Sequence, residues 1–197
     1  MPPSPPDIFE VIVNARTGEI VKEVTLEGYA TMAAACYVYP VALGGWYSQN
    51  DPSWSSNPLG NSTSYTIGSA GCVVTSLAMT YHNVWGVSTT PAELNTSARS
   101  AGCFAAGSAD VNIGCAVNSR GGPHYYSSVS MSSVATAICA GYPVMVYVTW
   151  GGGHKMLAYY YSGGSTSSMS SYRVVDPWTG TSKSLSGYTA TRWLKLY

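Results

Sequence analysis

A cysteine flanked by glycines, in Gly68-Ser69-Ala70-Gly71-Cys72-Val73-Val74-Thr75-Ser76-Leu77, stands at the head of an apolar pattern with helical spacing. Val73, Leu77 and Tyr81 lie about one turn apart, Val74, Ala78 and Trp85 flank them, and Gly86 supplies a stop signal. The spacing therefore predicts an amphipathic helix that starts at the cysteine and must bury its apolar face against another layer. A helix N-terminus offers unpaired backbone N–H groups and a partial positive charge, and both favour the thiolate form of a cysteine placed there. Cys72 reads either as a nucleophile or as a small buried core thiol, and this stretch alone does not separate the two.

Composition limits what the rest of the chain can be. With 197 residues and 46% hydrophobic content, the chain can bury a core as one main domain. Only 9% of residues are charged and the net charge is zero, which argues against nucleic acid or a membrane surface as partner. Of the nine acids, five (Asp7, Glu10, Glu19, Glu23 and Glu27) fall in the first 27 residues. There, Ile8 to Asn14 and Glu19 to Val24 flank Ala15-Arg16-Thr17-Gly18 as strand, turn and strand, after a proline-rich start from Met1 to Pro6. Gly28 to Gly45 contains Pro40 and paired glycines, too interrupted for a membrane span. No signal-peptide pattern is expected at Met1, which leads straight into prolines. The expected organisation is a hairpin and linker over residues 1–45 and a main domain over 46–197.

Five cysteines (Cys36, Cys72, Cys103, Cys115 and Cys139) are an odd number. Setting one reactive thiol aside leaves four that could pair in three ways. Cys103 and Cys115 bracket a Gly/Ala/Asn-rich loop and are the expected disulfide. Cys139, in the apolar run from Val134, is expected to be a core residue. Bridges and a hydroxyl-rich, weakly charged surface favour an exported protein.

A base for Cys72 must come from His82, His124 or His154. His82 lies ten residues along the same helix, roughly 15 Å away at 1.5 Å per residue, and cannot reach. His124 follows Arg120-Gly121-Gly122-Pro123 and is expected to be an exposed loop histidine. His154 follows Gly151-Gly152-Gly153, which would let the backbone approach another group closely, and precedes a buried strand from Met156 to Tyr161.

Four carboxylates remain in the body to orient that histidine. Glu93 belongs to a capping box in Thr90-Pro91-Ala92-Glu93, Asp51 opens an Asp-Pro turn, and Asp110 lies between Cys103 and Cys115. Asp176 ends the apolar run Tyr172 to Val175, before Pro177-Trp178-Thr179-Gly180. If that strand neighbours the His154 strand in antiparallel fashion across Ser162 to Ser171, the two side chains can meet.

Taken in chain order, Gln49 in Tyr47-Ser48-Gln49-Asn50-Asp51-Pro52-Ser53-Trp54, the cysteine block from Ile67 to Met79, Gly153-His154 and Val175-Asp176-Pro177-Trp178-Thr179-Gly180 resemble the papain-like cysteine peptidases, in the branch related to bacteriocin-processing peptidases. Leu59-Gly60 and Thr90-Pro91 belong to the same pattern. The resemblance runs from about Trp46 to Gly180, and the sequence between Asn95 and Met131 matches no motif of the family. It implies Cys72 as nucleophile, His154 as base and then acid, Asp176 as the group that fixes the imidazole, and Gln49 as an oxyanion-hole donor, with no cofactor or metal. The Val-Asn-Ala-Arg-Thr-Gly-Glu-Ile hairpin resembles the last strands of PepSY-type propeptide modules, which implies a cis propeptide role for the N-terminal segment and further sequence upstream. Gly44-Gly45 is a pair of the kind such peptidases cut, so residues 1–45 could be a leader removed by the enzyme itself, although with 21 glycines a chance pair is the simpler reading.

The resulting expectation is an α+β papain-like fold, with an N-terminal helical part packed on an antiparallel sheet. Helices are expected from Cys72, over about 91–101 and over about 131–140. Strands are expected over 143–148, after His154, up to Asp176 and around 193–196. The function implied is hydrolysis of peptide bonds in a peptide or protein substrate, by a bacterial secreted or cell-surface enzyme. Two alternatives stand beside it. The same residues would serve a cell-wall amidase or a transglutaminase-type acyl transferase. The 16 tyrosines and 6 tryptophans could instead line a carbohydrate surface in a non-catalytic binding module.

Overall fold

The structure, a computed structural model, describes Glu10–Val13, Ile20–Val24 and residues 34–197. The chain divides into two compact units, Met1–Ala33 and Ala34–Tyr197. In the first, strands β1 (Glu10–Val13) and β2 (Ile20–Val24) pair antiparallel, with a register shift after Ile12. The proline-rich start, the Ala15–Gly18 turn and the first part of the linker lie outside the described residues.

The second unit is mixed α and β, with five helices beside a seven-stranded antiparallel sheet. Its strands are β3 (Cys36–Tyr37), β4 (Tyr126–Ser128), β5 (Val144–Val148), β6 (His154–Tyr161), β7 (Tyr172–Asp176), β8 (Thr181–Ser184) and β9 (Ala190–Leu196). Their order is β4-β9-β5-β6-β7-β8, and β3 continues the edge of β6 beyond the part that β5 occupies. The middle strands are runs of Val, Met, Leu and Tyr, and Val144, Met145, Val146, Met156, Leu157, Val174 and Val175 are all buried. Such continuous apolar runs mark strands that are covered on both faces.

The helices are α1 (Ile67–Ala70), α2 (Cys72–Asn83), α3 (Pro91–Ser100), α4 (Ile113–Ala116) and α5 (Met131–Cys139). Helix α3 starts as its sequence predicts. The Thr90 hydroxyl accepts from the Glu93 N–H, the Glu93 carboxylate accepts from the Thr90 N–H, and Pro91 takes the first turn. Helices α2 and α5 both pack on β6. Leu77, Ala78 and Tyr81 of α2 are buried in the same core as Val134 and Ile138 of α5.

Two expectations are corrected here. The boundary between units falls at Ala33/Ala34 and not at residue 45. Residues 34–45 belong to the main body because β3 pairs with β6 and because Val38 and Val41 are buried in the core. Cys139 is not a core residue: it is exposed and bonded to Cys36, joining the end of α5 to β3. Cys103 and Cys115 form the second disulfide as expected, and Cys72 is left as the free cysteine. Two disulfides are compatible with a secreted protein. Among the described residues no helix is long and apolar enough to cross a membrane.

Candidate active site

Cys72 is the first residue of α2, and the break that frees it comes from Gly71. Helix α1, capped by Thr66 and Ser69, ends at Ala70, and Gly71 separates it from α2. In an unbroken helix the Cys72 N–H would bond to the Gly68 carbonyl. That carbonyl accepts from Gln49 Nε2 at 2.8 Å, and Cys72, as the first residue of α2, carries one of the N–H groups that a helix start leaves without a helical partner. A side chain at Gly71 could not be accommodated, since a Cβ there would lie 2.4 Å from the Ile67 carbonyl oxygen. The glycine ahead of the cysteine is thus a requirement of close packing, and its φ of −80° is ordinary.

His154 opens β6 and Asp176 closes β7. These strands are antiparallel with Leu157 opposite Val175, so both residues fall at the same end of the ladder. The His154 Nε2 and Asp176 Oδ1 are 2.7 Å apart, and both residues are buried. Asp176 Oδ1 also accepts from the Trp178 N–H at 2.8 Å, an Asx turn made by the Asp-Pro-Trp sequence. Its Oδ2 accepts from Lys183 Nζ at 2.7 Å. Lys183 sits on β8, where Thr181 faces Asp176 and Lys183 is its diagonal neighbour on the same face.

The titration of these groups follows from the contacts. Burial alone would raise the Cys72 pKa. The hydrogen bond and charge of His154, with the charge and backbone N–H of Lys155, outweigh it and hold the thiol below its ordinary value. Burial alone would lower His154, but its hydrogen bonds to Asp176 and Cys72 and the charges of both lift it from 6.5 to about 9. Asp176 is likewise pushed up by burial and pulled down further by His154, Lys183 and the Trp178 N–H, to about 2. Nε2 is committed to Asp176, so Nδ1 is the nitrogen left for the sulfur. The arrangement favours a thiolate–imidazolium pair over a neutral one.

Gln49 is buried and is locked to the same corner, its N–H donating to the Pro177 carbonyl at 2.7 Å. Ser48 Oγ and Asn50 Nδ2 both donate to the Trp178 carbonyl, and Gly180, at φ +65°, lets its backbone pass Ser48 closely enough that a Cβ would lie 3.0 Å from the Ser48 nitrogen. The segments that carry Gln49 and Asp176 are therefore fastened together. One Nε2 hydrogen of Gln49 is spent on Gly68, and the second remains for a ligand.

Gly151, Gly152 and Gly153 all have positive φ, at 61°, 83° and 110°. A Cβ at any of them would meet nothing within 4 Å, so they serve left-handed backbone and not the close approach the sequence suggests. The turn they make sets Trp150 edge-on to His154, with ring centres 5.2 Å apart, and near Trp178 at 6.3 Å. These two indoles are 48% and 42% exposed. Cys72, His154 and Gln49 open onto a cleft with a volume of about 820 Å³, whose walls include the loop around Asp110 and the Trp150–Gly153 turn.

The remaining candidates are placed elsewhere. Asp51 accepts from the Ser53 N–H in its own turn. Glu93 caps α3. His82 is exposed on the last turn of α2. His124 is half-buried and not exposed as expected, because it stacks on Trp85 with ring centres 3.8 Å apart beyond the end of α2. Gly45 also lies at that end, its carbonyl accepting from Asn83 Nδ2 at 3.1 Å, which is about 16 Å along the helix from Cys72. A cut after Gly44-Gly45 by the thiol of the same molecule has no geometric basis in this arrangement. Lys183 and Trp150 went unrecognised in the sequence. Among the described residues no cluster of His, Cys, Asp or Glu could hold a metal ion.

Comparison with protein-family models, with curated proteins and with solved structures found no match to this chain.

Proposed function

We propose that this chain is a cysteine-type hydrolase of papain-like design that cleaves peptide bonds. The observation that carries the reading is the free Cys72 at a helix start, held below its ordinary pKa by a histidine whose other nitrogen is 2.7 Å from a buried aspartate. The thiolate attacks the scissile carbonyl, and its oxygen takes up negative charge between the Cys72 N–H and the second Gln49 Nε2 hydrogen. The tetrahedral species collapses as the imidazolium of His154 gives its proton to the leaving amine, and a thioester with Cys72 remains. Water, deprotonated by His154, then attacks the thioester and releases the acid and the thiol. Asp176 keeps Nε2 occupied and stabilises the imidazolium throughout. Two disulfides support an exported setting for this activity. Cell-wall amidase and transferase chemistry would use the same thioester, and the substrate separates them.

The test is hydrolysis of an unfolded protein such as reduced casein, with Cys72→Ala as control. Peptide release by the wild type that Cys72→Ala abolishes is the expected result. Intact casein, with release of stem peptides from peptidoglycan fragments or incorporation of an added amine, would overturn the peptidase reading in favour of an amidase or a transferase.

A further inference from the structure

The sheet carries a row of positive charge beside Cys72 that pairs with no carboxylate among the described residues. Tyr147 on β5 stands in register with Lys155 on β6 and with Arg192 on β9. The Lys155 ammonium lies 5.3 Å and the Arg192 guanidinium 5.5 Å from the centre of the Tyr147 ring, so both cations are held against the same aromatic ring. Tyr147 and Lys155 line the cleft together with Cys72. Arg192 is exposed and extends the row away from the thiol. Among the described residues the ion pairs are those of Asp176 with His154 and with Lys183, so no carboxylate answers either cation of the row. Asp110 also lines the cleft, on the loop between Cys103 and Cys115, and is paired with neither.

Two cations gathered on one tyrosine, with no carboxylate paired to either among the described residues, repel each other, and an anionic ligand group relieves that repulsion. We propose that the Lys155–Tyr147–Arg192 row is a substrate subsite that binds a carboxylate close to the scissile bond, a reading that rests on the hydrolytic role of Cys72. Lys155 directly follows His154 and lines the same cleft as Cys72. An extended substrate advances about 3.3–3.6 Å per residue, so the carboxylate lies within about two residues of the cleaved bond. It can come from an Asp or Glu side chain or from a chain terminus.

Two measurements test the subsite. The first is the ratio of Cys72 alkylation rates by iodoacetate, which carries a carboxylate, and by the neutral iodoacetamide. This ratio is expected to fall about threefold in Arg192→Glu and in Lys155→Met, the size of a partly exposed ion pair. It is expected to be unchanged in Lys195→Glu, which alters the same net charge where Lys195 lies over Tyr142 and Tyr197. The second is the pattern of cuts in a proteome-derived peptide mixture. Enrichment of Asp or Glu at one fixed position within two residues of the cut assigns the side-chain source, and cuts confined to the bonds next to a free terminus assign the terminal one. Both patterns are expected to weaken in Arg192→Glu. A Cys72 that reacts with neither reagent overturns the hydrolytic reading and the subsite with it. A reactive Cys72 whose rate ratio and cutting pattern are the same in Arg192→Glu as in the wild type overturns the subsite alone.

Discussion

At the scale of single residues, the site is a chain of charges in which each member sets the next. Lys183 and Asp176, His154 and Cys72 alternate in sign when ionised, and the last two titrate as a coupled pair. His154 is lifted to about 9, so the imidazolium that would protonate the leaving amine in the proposed hydrolysis is present below that pH and lost above it. Hydrolysis is therefore expected to decline as pH rises through about 9, read from the pH dependence of kcat/KM. Asp176→Asn removes the largest support of the imidazolium and should move this limb down toward 6.5, with about a hundredfold loss of rate. Lys183→Met acts with the opposite sign. It unmasks the Asp176 charge, so the limb should move up while the rate changes little.

The same shifts contribute to stability, with signs that follow from linkage. The His154 contribution is fully present below its unfolded value of 6.5 and is lost as pH rises through about 9. The Asp176 contribution is present above 3.8 and is lost as pH falls through about 2. The stability difference between wild type and Asp176→Asn, from urea midpoints, should therefore be largest between these unfolded values and shrink toward either extreme.

At the scale of elements, the site depends on a helix that is deliberately interrupted. Gly71→Ala would drive a methyl group into the Ile67 carbonyl and side chain, and the junction of α1 and α2 must open to admit it. An overpacked site of this kind is expected to cost about 1–3 kcal/mol of stability, measured by denaturant unfolding. Its alkylation rate should fall as well, because Cys72 moves with the junction. The elements that carry Cys72, His154 and Asp176 were legible in the sequence because they are apolar runs with clear stop signals, and the antiparallel pairing of β6 with β7 follows from their short connection. Strand β8, Thr181–Ser184, was not legible. It is a polar edge strand with the sequence TSKS and no apolar alternation, which protects an edge from further pairing but hides a strand from periodicity. Lys183 was hidden with it. The Gly151–Gly153 turn was noticed for the wrong physical reason, since three positive φ angles matter there and proximity does not.

At the scale of the whole molecule, the Cys36–Cys139 bridge spans 103 residues and the Cys103–Cys115 bridge spans 12. The first could not be read from the sequence, because four cysteines allow three pairings and only the fold brings β3 to the end of α5. Closing the longer loop restrains the unfolded chain more, by about 4–5 kcal/mol against about 3 kcal/mol for the shorter in the chain-entropy account. Loss of Cys36–Cys139 by paired serine substitution is accordingly expected to lower the urea midpoint more than loss of Cys103–Cys115. The two losses should be felt in different places, since the shorter bridge closes the loop that walls the cleft.

The claim on which the rest depends is that His154 ionises Cys72. Its most direct test is the rate of iodoacetamide alkylation of Cys72 against pH, in the wild type and in His154→Ala. Because Cys72 is the free cysteine, the labelled residue is unambiguous. The wild type is expected to stay reactive at pH values well below the ordinary thiol value of 9.0, and His154→Ala to lose that reactivity and titrate at or above it, where burial alone would put the thiol. Superimposable profiles for the two proteins would contradict the account.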